Sequence, residues 1–227
     1  MDIYIDCADV TQWKLPAGIA PVVGITTNPS LIFQAGLSVT LLTYERLLKE
    51  AGGQGFTRLM LQLPSADLVQ AQTWVSALQK VAAQEKIELT IKLPCLAEWL
   101  SCIKAVQNMK QKVLLTGLSN PVQLLWAQSL GVDFVAPYVG RLAADTALGG
   151  RDVWSMLEAC VAVQNEKGPS LLAASIKTPD VLSRLIAIGA AAVTLPPASL
   201  VAWSQDAITQ AAVAQFAKDT ELSLKLV

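Results

Sequence analysis

The run Leu89-Thr90-Ile91-Lys92-Leu93-Pro94 is short, apolar and β-rich, carries one lysine near its end, and stops at a proline. A run of this length bounded by a breaker reads as a buried strand. On its N-terminal side, Ser65 to Ala83 places Leu68, Val69, Trp74, Val75, Leu78 and Val81 on one helical face, and on its C-terminal side Leu96 to Lys110 has the same spacing. A strand flanked by helical stretches is a βα unit. The same alternation recurs along the chain, with strands expected at Ile3 to Cys7, Val22 to Thr26, Arg58 to Leu63, Leu89 to Leu93, Val113 to Thr116, Phe134 to Tyr138, Leu171 to Ser175 and Ala192 to Leu195. Further helices are expected at Leu37 to Ala51, closed by Gly52-Gly53, at Asn120 to Leu130 with Asn120 as N-cap before Pro121, and at Arg151 to Gln164, Asp180 to Ile188 and Ser199 to Asp219. Eight units in this length predict an α/β fold, a single-domain (β/α)8 TIM barrel over residues 1–227 with an extended C-terminal helix. An open doubly wound sheet is the competing topology, but no glycine-rich dinucleotide loop follows the first strand.

An ammonium group held among apolar residues loses hydration, which disfavours its charged form and makes it a candidate Schiff-base amine. The same run also accommodates a lysine whose stem packs while its head reaches water. Composition narrows the chemistry available around it. Hydrophobic residues make up 53% of the 227 and charged ones 15%, with net charge -1 and no long block of either sign, so neither a nucleic-acid footprint nor a polybasic membrane patch is expected. No apolar run reaches membrane-span length, and the start Met1-Asp2-Ile3-Tyr4-Ile5-Asp6 lacks the basic residues of a signal peptide, so a cytoplasmic protein is expected. Cys7, Cys95, Cys102 and Cys160 are scattered in apolar contexts without metal-ligand spacing, and read as buried free thiols. Histidine is absent, which removes the commonest general base and metal ligand. Trp99 and Trp154, on expected helices, read as packing in interhelical layers or at a subunit contact rather than stacking on a sugar.

In a barrel of this kind, chemistry gathers at the C-terminal ends of the strands. The polar residues there are Asp6, Thr26, Thr27, Asn28, Gln62, Lys92, Thr116, Tyr138, Arg141, Ser175 and Lys177. Each alone reads equally as a cap or turn former. Together they put an amine, a carboxylate, amides and hydroxyls at one mouth.

The blocks Ile5-Asp6-Cys7-Ala8-Asp9, Gly24-Ile25-Thr26-Thr27-Asn28-Pro29-Ser30, Ile91-Lys92-Leu93-Pro94, Ala136-Pro137-Tyr138-Val139-Gly140-Arg141 and Ala173-Ala174-Ser175-Ile176-Lys177-Thr178 resemble, in order and spacing, those of the transaldolase family. The likeness is greatest to its small fructose-6-phosphate aldolase-like branch and covers nearly the whole chain. It implies class I aldol chemistry without metal or other cofactor, acting on a ketone donor and an aldehyde or sugar-phosphate acceptor. Lys92 matches the imine-forming lysine and Asp6 the acid that moves protons at the reacting hydroxyl. Asn28, with Thr26 beside it, matches the amide that binds donor hydroxyls. Arg141 and Ser175 match the groups that hold a distal phosphate, and Lys177 adds charge there.

Gln62, Thr116 and Tyr138 match the three groups that hold a proton-relaying water. Transaldolases proper carry Glu and Phe where this chain has Gln62 and Tyr138, so the combination implies an aldolase that releases free donor. Gly140, by contrast, follows the transaldolase form, and Thr116-Gly117-Leu118-Ser119 and Leu63-Pro64 depart from the branch pattern. Transfer of a dihydroxyacetone unit between sugar phosphates, and a barrel that binds a sugar phosphate without turning it over, are the competing readings. The resemblance also implies a homo-oligomer, a decamer of two pentamers in which the terminal helix reaches a neighbour.

Overall fold

A computed structural model describes residues 1–19, 21–144 and 152–225. The strands β1 (Asp2–Asp6), β2 (Gly24–Thr26), β3 (Arg58–Gln62), β4 (Glu88–Pro94), β5 (Lys112–Leu118), β6 (Phe134–Pro137), β7 (Ser170–Ala173) and β8 (Ala192–Leu195) pair in chain order, all parallel. β8 pairs back onto β1, with Tyr4 opposite Thr194, and so closes the barrel. The expected (β/α)8 architecture is therefore present.

Side chains alternate across a strand, so every second residue climbs the barrel interior. At the N-terminal end, Arg58 contacts Asp2 and Glu88, and Lys112 pairs with Glu88 at 2.7 Å. Two residues further along each strand, Tyr4, Met60 and Leu114 join Ala136, Leu172 and Ala192 in an apolar plug. Another two residues along come Asp6, Gln62, Lys92 and Thr116. The interior is thus a charged base, an apolar middle and a polar mouth. Outward residues such as Ile5, Ile25, Leu59, Leu61, Ile91 and Leu115, all fully buried, pack under the surrounding helices.

Those helices are α1 (Pro29–Gln34), α2 (Leu41–Gly53), α3 (Leu68–Glu85), α4 (Leu100–Asn108), α5 (Pro121–Leu130), α6 (Val139–Ala144), α7 (Val153–Asn165), α8 (Pro179–Ile188), α9 (Pro197–Ser204) and α10 (Ala207–Ser223). Their side-chain caps explain where they depart from the expected spans. Asn28 caps α1 with Pro29 at its first position, a short helix the periodicity passes over, and Thr40 rather than Leu37 opens α2. α2 runs through Gly52 and Gly53, because a side chain at Gly52 would meet Glu85 Cβ at 2.9 Å; here glycine permits close approach to α3 rather than stopping the helix. Asp67 opens α3, and a single 3-10 turn, Ala97–Trp99, precedes α4.

Asn120 caps α5 as expected, accepting from Gln123 N at 3.0 Å. α7 begins after its cap Asp152; the expected start at Arg151 lies outside the described residues. The expected C-terminal helix is extended, as read, but broken in two: Gln205 leaves helical geometry (φ -99°, ψ 81°), and Asp206 caps α10 by accepting from Thr209 N. α6 was not anticipated at all. All four cysteines are buried free thiols, and burial pushes Cys95 up to about 11 and Cys160 up to about 12. Trp154 on α7 lies 4.0 Å beneath the Arg184 guanidinium of α8, and Trp99 is buried, so both pack as expected.

Candidate active site

At the C-terminal mouth the strand ends and their loops enclose a cavity of about 690 Å³. Lys92 reaches it from β4 opposite Gln62 of β3, and is only 6% exposed. Burial strips hydration from the ammonium and lowers the pKa of Lys92, while the negative charge of Asp6 pulls the other way. The amine donates to the Thr27 carbonyl oxygen at 2.8 Å, in the turn just past β2. A buried amine biased towards its neutral form and fixed by a backbone acceptor is an available nucleophile.

Asp6 closes β1 and also lines the cavity. One of its carboxylate oxygens accepts from Thr26 Oγ1 at 2.8 Å, and Thr26 Oγ1 lies 2.6 Å from Thr194 Oγ1 of β8. Thr26, expected to touch substrate, is fully buried and is not among the residues lining the cavity; it stands behind Asp6. Thr194 does line the cavity, and the sequence reading passed over it. The only signal it offers is a hydroxyl one place before the end of the apolar run Ala192-Val193-Thr194-Leu195.

On β5, Thr116 donates to the Tyr138 hydroxyl at 2.8 Å, just past β6. Gln62 Oε1 is buried at the same mouth without a hydrogen-bond partner among the described residues. Gln62, Thr116 and Tyr138, expected to act as a set, thus all line the cavity. Asn28 lines it too, but its Oδ1 is committed to capping α1 through Leu31 N at 3.0 Å, which leaves only the amide NH2 for a ligand. The expected turn role and the expected binding role therefore fall on different atoms of one side chain.

Arg141, Ser175 and Lys177 line the opposite rim, and both cations are exposed there. Their proximity depends on Gly140, whose N–H donates to Ser175 O at 3.1 Å and where a Cβ would sit 2.6 Å from that oxygen. Ser175, expected to end β7, instead turns out of the strand at φ 61°, a left-handed conformation uncommon for serine and of the kind that gathers at binding sites. The Arg141 guanidinium lies 4.8 Å from the centre of the Tyr138 ring, which joins the cationic rim to the Thr116–Tyr138 pair. Asp9, Gln12, Ser30 and Gln34, none of them expected as site residues, also line the cavity.

Residues 67–226, which carry Lys92, Thr116, Tyr138, Arg141, Ser175 and Lys177, match the profile of the Transaldolase/Fructose-6-phosphate aldolase family. The chain belongs to that family. Relatives similar to this transaldolase-family chain include a probable transaldolase of Brucella anthropi, 29% identical over 221 residues and 96% of each chain, and one of Sinorhizobium medicae, 30% identical over 223 residues and again 96% of each. Among solved structures, a flavocytochrome b2 variant with sulfite bound superposes with a TM-score of 0.61 at 13% identity, over 90% of this chain and 59% of that one. The EAL domain of Xanthomonas citri FimX gives 0.53 at 16% identity, over 72% and 70%. Likeness at that level speaks for the barrel fold alone.

Proposed function

We propose that this transaldolase-family chain is a Schiff-base aldolase that cleaves or forms a ketose phosphate such as fructose 6-phosphate, with dihydroxyacetone as donor and glyceraldehyde 3-phosphate as acceptor. The observation that carries the proposal is the buried, acceptor-tethered Lys92 amine sharing one cavity with the Asp6 carboxylate.

Neutral Lys92 attacks the substrate C2 carbonyl, and loss of water from the carbinolamine leaves a protonated imine. Asp6 accepts the proton of the C4 hydroxyl, the C3–C4 bond breaks, and its electron pair passes into the imine to give an enamine and a free aldehyde. A proton then returns to C3, water hydrolyses the imine, and dihydroxyacetone leaves with Lys92 restored. No step of this route calls on a metal or an organic cofactor. Arg141, Ser175 and Lys177 supply cations and a hydroxyl for the distal phosphate, and the Asn28 amide donates to a donor hydroxyl.

Tyr138, Thr116 and Gln62 decide between release and transfer. A hydroxyl network beside the enamine supplies the C3 proton that frees the donor, whereas without it the enamine waits for a second aldehyde. Gln62 and Tyr138 therefore favour aldol cleavage over transfer. Dihydroxyacetone transfer is the second reading, supported by the names of the curated relatives.

The chain is incubated with fructose 6-phosphate or dihydroxyacetone, reduced with borohydride and analysed by peptide mass. A donor adduct on the Lys92 peptide is expected, together with free dihydroxyacetone when no acceptor aldehyde is present. Adduct without free product points to transfer, activity surviving in Lys92→Met overturns both Schiff-base readings, and an absence of both adduct and turnover moves the binding barrel to the front. A cytoplasmic homo-oligomer is part of the proposal. Among the described residues no helix is long and apolar enough to cross a membrane, and α10 exposes Ile208, Val213, Phe216 and Leu222 for a second copy to cover.

A further inference from the structure

Two threonine hydroxyls, 168 positions apart in the chain, meet behind the carboxylate of Asp6. A hydroxyl has one proton to give. Thr26 spends its proton on Asp6 Oδ1 at 2.8 Å, so at the 2.6 Å contact between the two hydroxyls Thr194 must be the donor. The direction of the chain is fixed as long as Asp6 is a carboxylate: Thr194 to Thr26 to Asp6. Only the ionised carboxylate, which has no proton of its own to donate, enforces that direction. Both threonines are buried, 0% and 2% exposed, so water does not compete for the bonds, and successive donors polarise one another in such surroundings.

We infer that Thr194 is a positioning residue which, through Thr26, orients the Asp6 carboxylate as the proton acceptor of the reaction. The inference rests on the aldolase reading above and extends it to a residue on the last strand. With its proton committed to Thr26, Thr194 offers the cavity only a lone pair, so any direct contact with substrate would accept from a substrate hydroxyl.

The experiment is kcat and KM for the full chain and for Thr194→Val, Thr194→Ser and Thr26→Val, each checked for borohydride trapping at Lys92. Removing the relay releases the Asp6 carboxylate from its set orientation, so kcat falls while KM and trapping hold. The expected loss in kcat is about fivefold in Thr194→Val, the scale of one neutral hydrogen bond, larger in Thr26→Val, and absent in Thr194→Ser, which keeps the donor. Should Thr194→Val not fold, Thr194→Ala makes the same deletion without a buried branched side chain. An unchanged kcat in a folded, trapping deletion variant overturns the relay, as does an equal loss in Thr194→Ser. A wild-type chain that traps no adduct overturns the aldolase reading and the relay with it.

Discussion

Lys92 Nζ donates to the carbonyl oxygen of Thr27 at 2.8 Å, which ties the amine of β4 to the turn after β2. A neutral amine makes this bond with one hydrogen and keeps its lone pair. The buried backbone acceptor and the Asp6 charge tolerate the ammonium form, but burial dominates and the pKa falls.

The fall has a consequence for stability. Between the lowered pKa of folded Lys92 and the ordinary 10.5, the unfolded chain binds the extra proton, so stability rises with pH across that window. Below the window both states are charged, and the fold bears the full cost of the buried ammonium. Lys92→Met is therefore expected to be inactive yet more stable than wild type below the window, with the gap closing as pH approaches 10.5. Urea unfolding at a series of pH values measures it. A gap that stays constant from neutral pH to 10.5 would show that burial of the ammonium costs nothing.

Tyr138→Phe removes the hydroxyl that accepts from Thr116 at 2.8 Å while leaving the ring beneath Arg141. Release of free dihydroxyacetone is expected to fall by about 10²-fold, the scale of a lost general acid. Transfer to an added aldehyde is expected to be less affected. Product analysis with and without acceptor measures the ratio, and equal losses in both assays would remove Tyr138 from the protonation step.

Gly140→Ala places a methyl 2.6 Å from Ser175 O, a backbone atom that cannot simply rotate away. The start of α6 must shift, and Arg141 shifts with it. KM for phosphorylated substrates is expected to rise roughly tenfold or more, the scale of one charge-assisted hydrogen bond lost. Unphosphorylated glyceraldehyde should show little change. A uniform loss on both substrates would instead indicate general damage to the mouth.

Asn28 divides its amide between two tasks, and two variants separate them. Asn28→Ala loses the α1 cap, at a cost of ~1 kcal/mol, as well as the donor NH2. Asn28→Asp keeps the cap oxygen but not the donor. Melting temperature should fall by about 2–4 °C in the first variant and be largely restored in the second, while activity stays low in both. Activity recovered in Asn28→Asp would leave the residue with a structural role only.

The eight parallel strands were legible because each is an apolar run separated from the next by helical spacing, and that periodicity is local. Helix starts were less legible: Thr40, Asp67 and the 3-10 turn at Ala97–Trp99 are set by single side-chain caps and local geometry, which a 3.6-residue pattern does not register. The break at Gln205 falls in the same class. Lys92, Asp6, Gln62, Thr116, Tyr138, Arg141, Ser175 and Lys177 could be nominated from strand ends, because a parallel barrel brings all those ends to one mouth. Local periodicity and the chemistry of strand-end residues thus suffice to specify the barrel, its mouth and most of the polar residues gathered there.

What each of them faces is set by the closed barrel. Thr26 was expected at the cavity but lies behind Asp6, and Thr194, which drew no notice within its apolar run, lines the cavity, because closure of β8 onto β1 brings two distant hydroxyls together. Likewise, the pKa of Lys92 is lowered by the burial that the closed barrel completes, against the opposing charge of Asp6 on another strand. Hydrophobic periodicity reports which side of a strand is buried. Distance between side chains, and with it hydrogen bonding and desolvation, exists only once the sheet has closed.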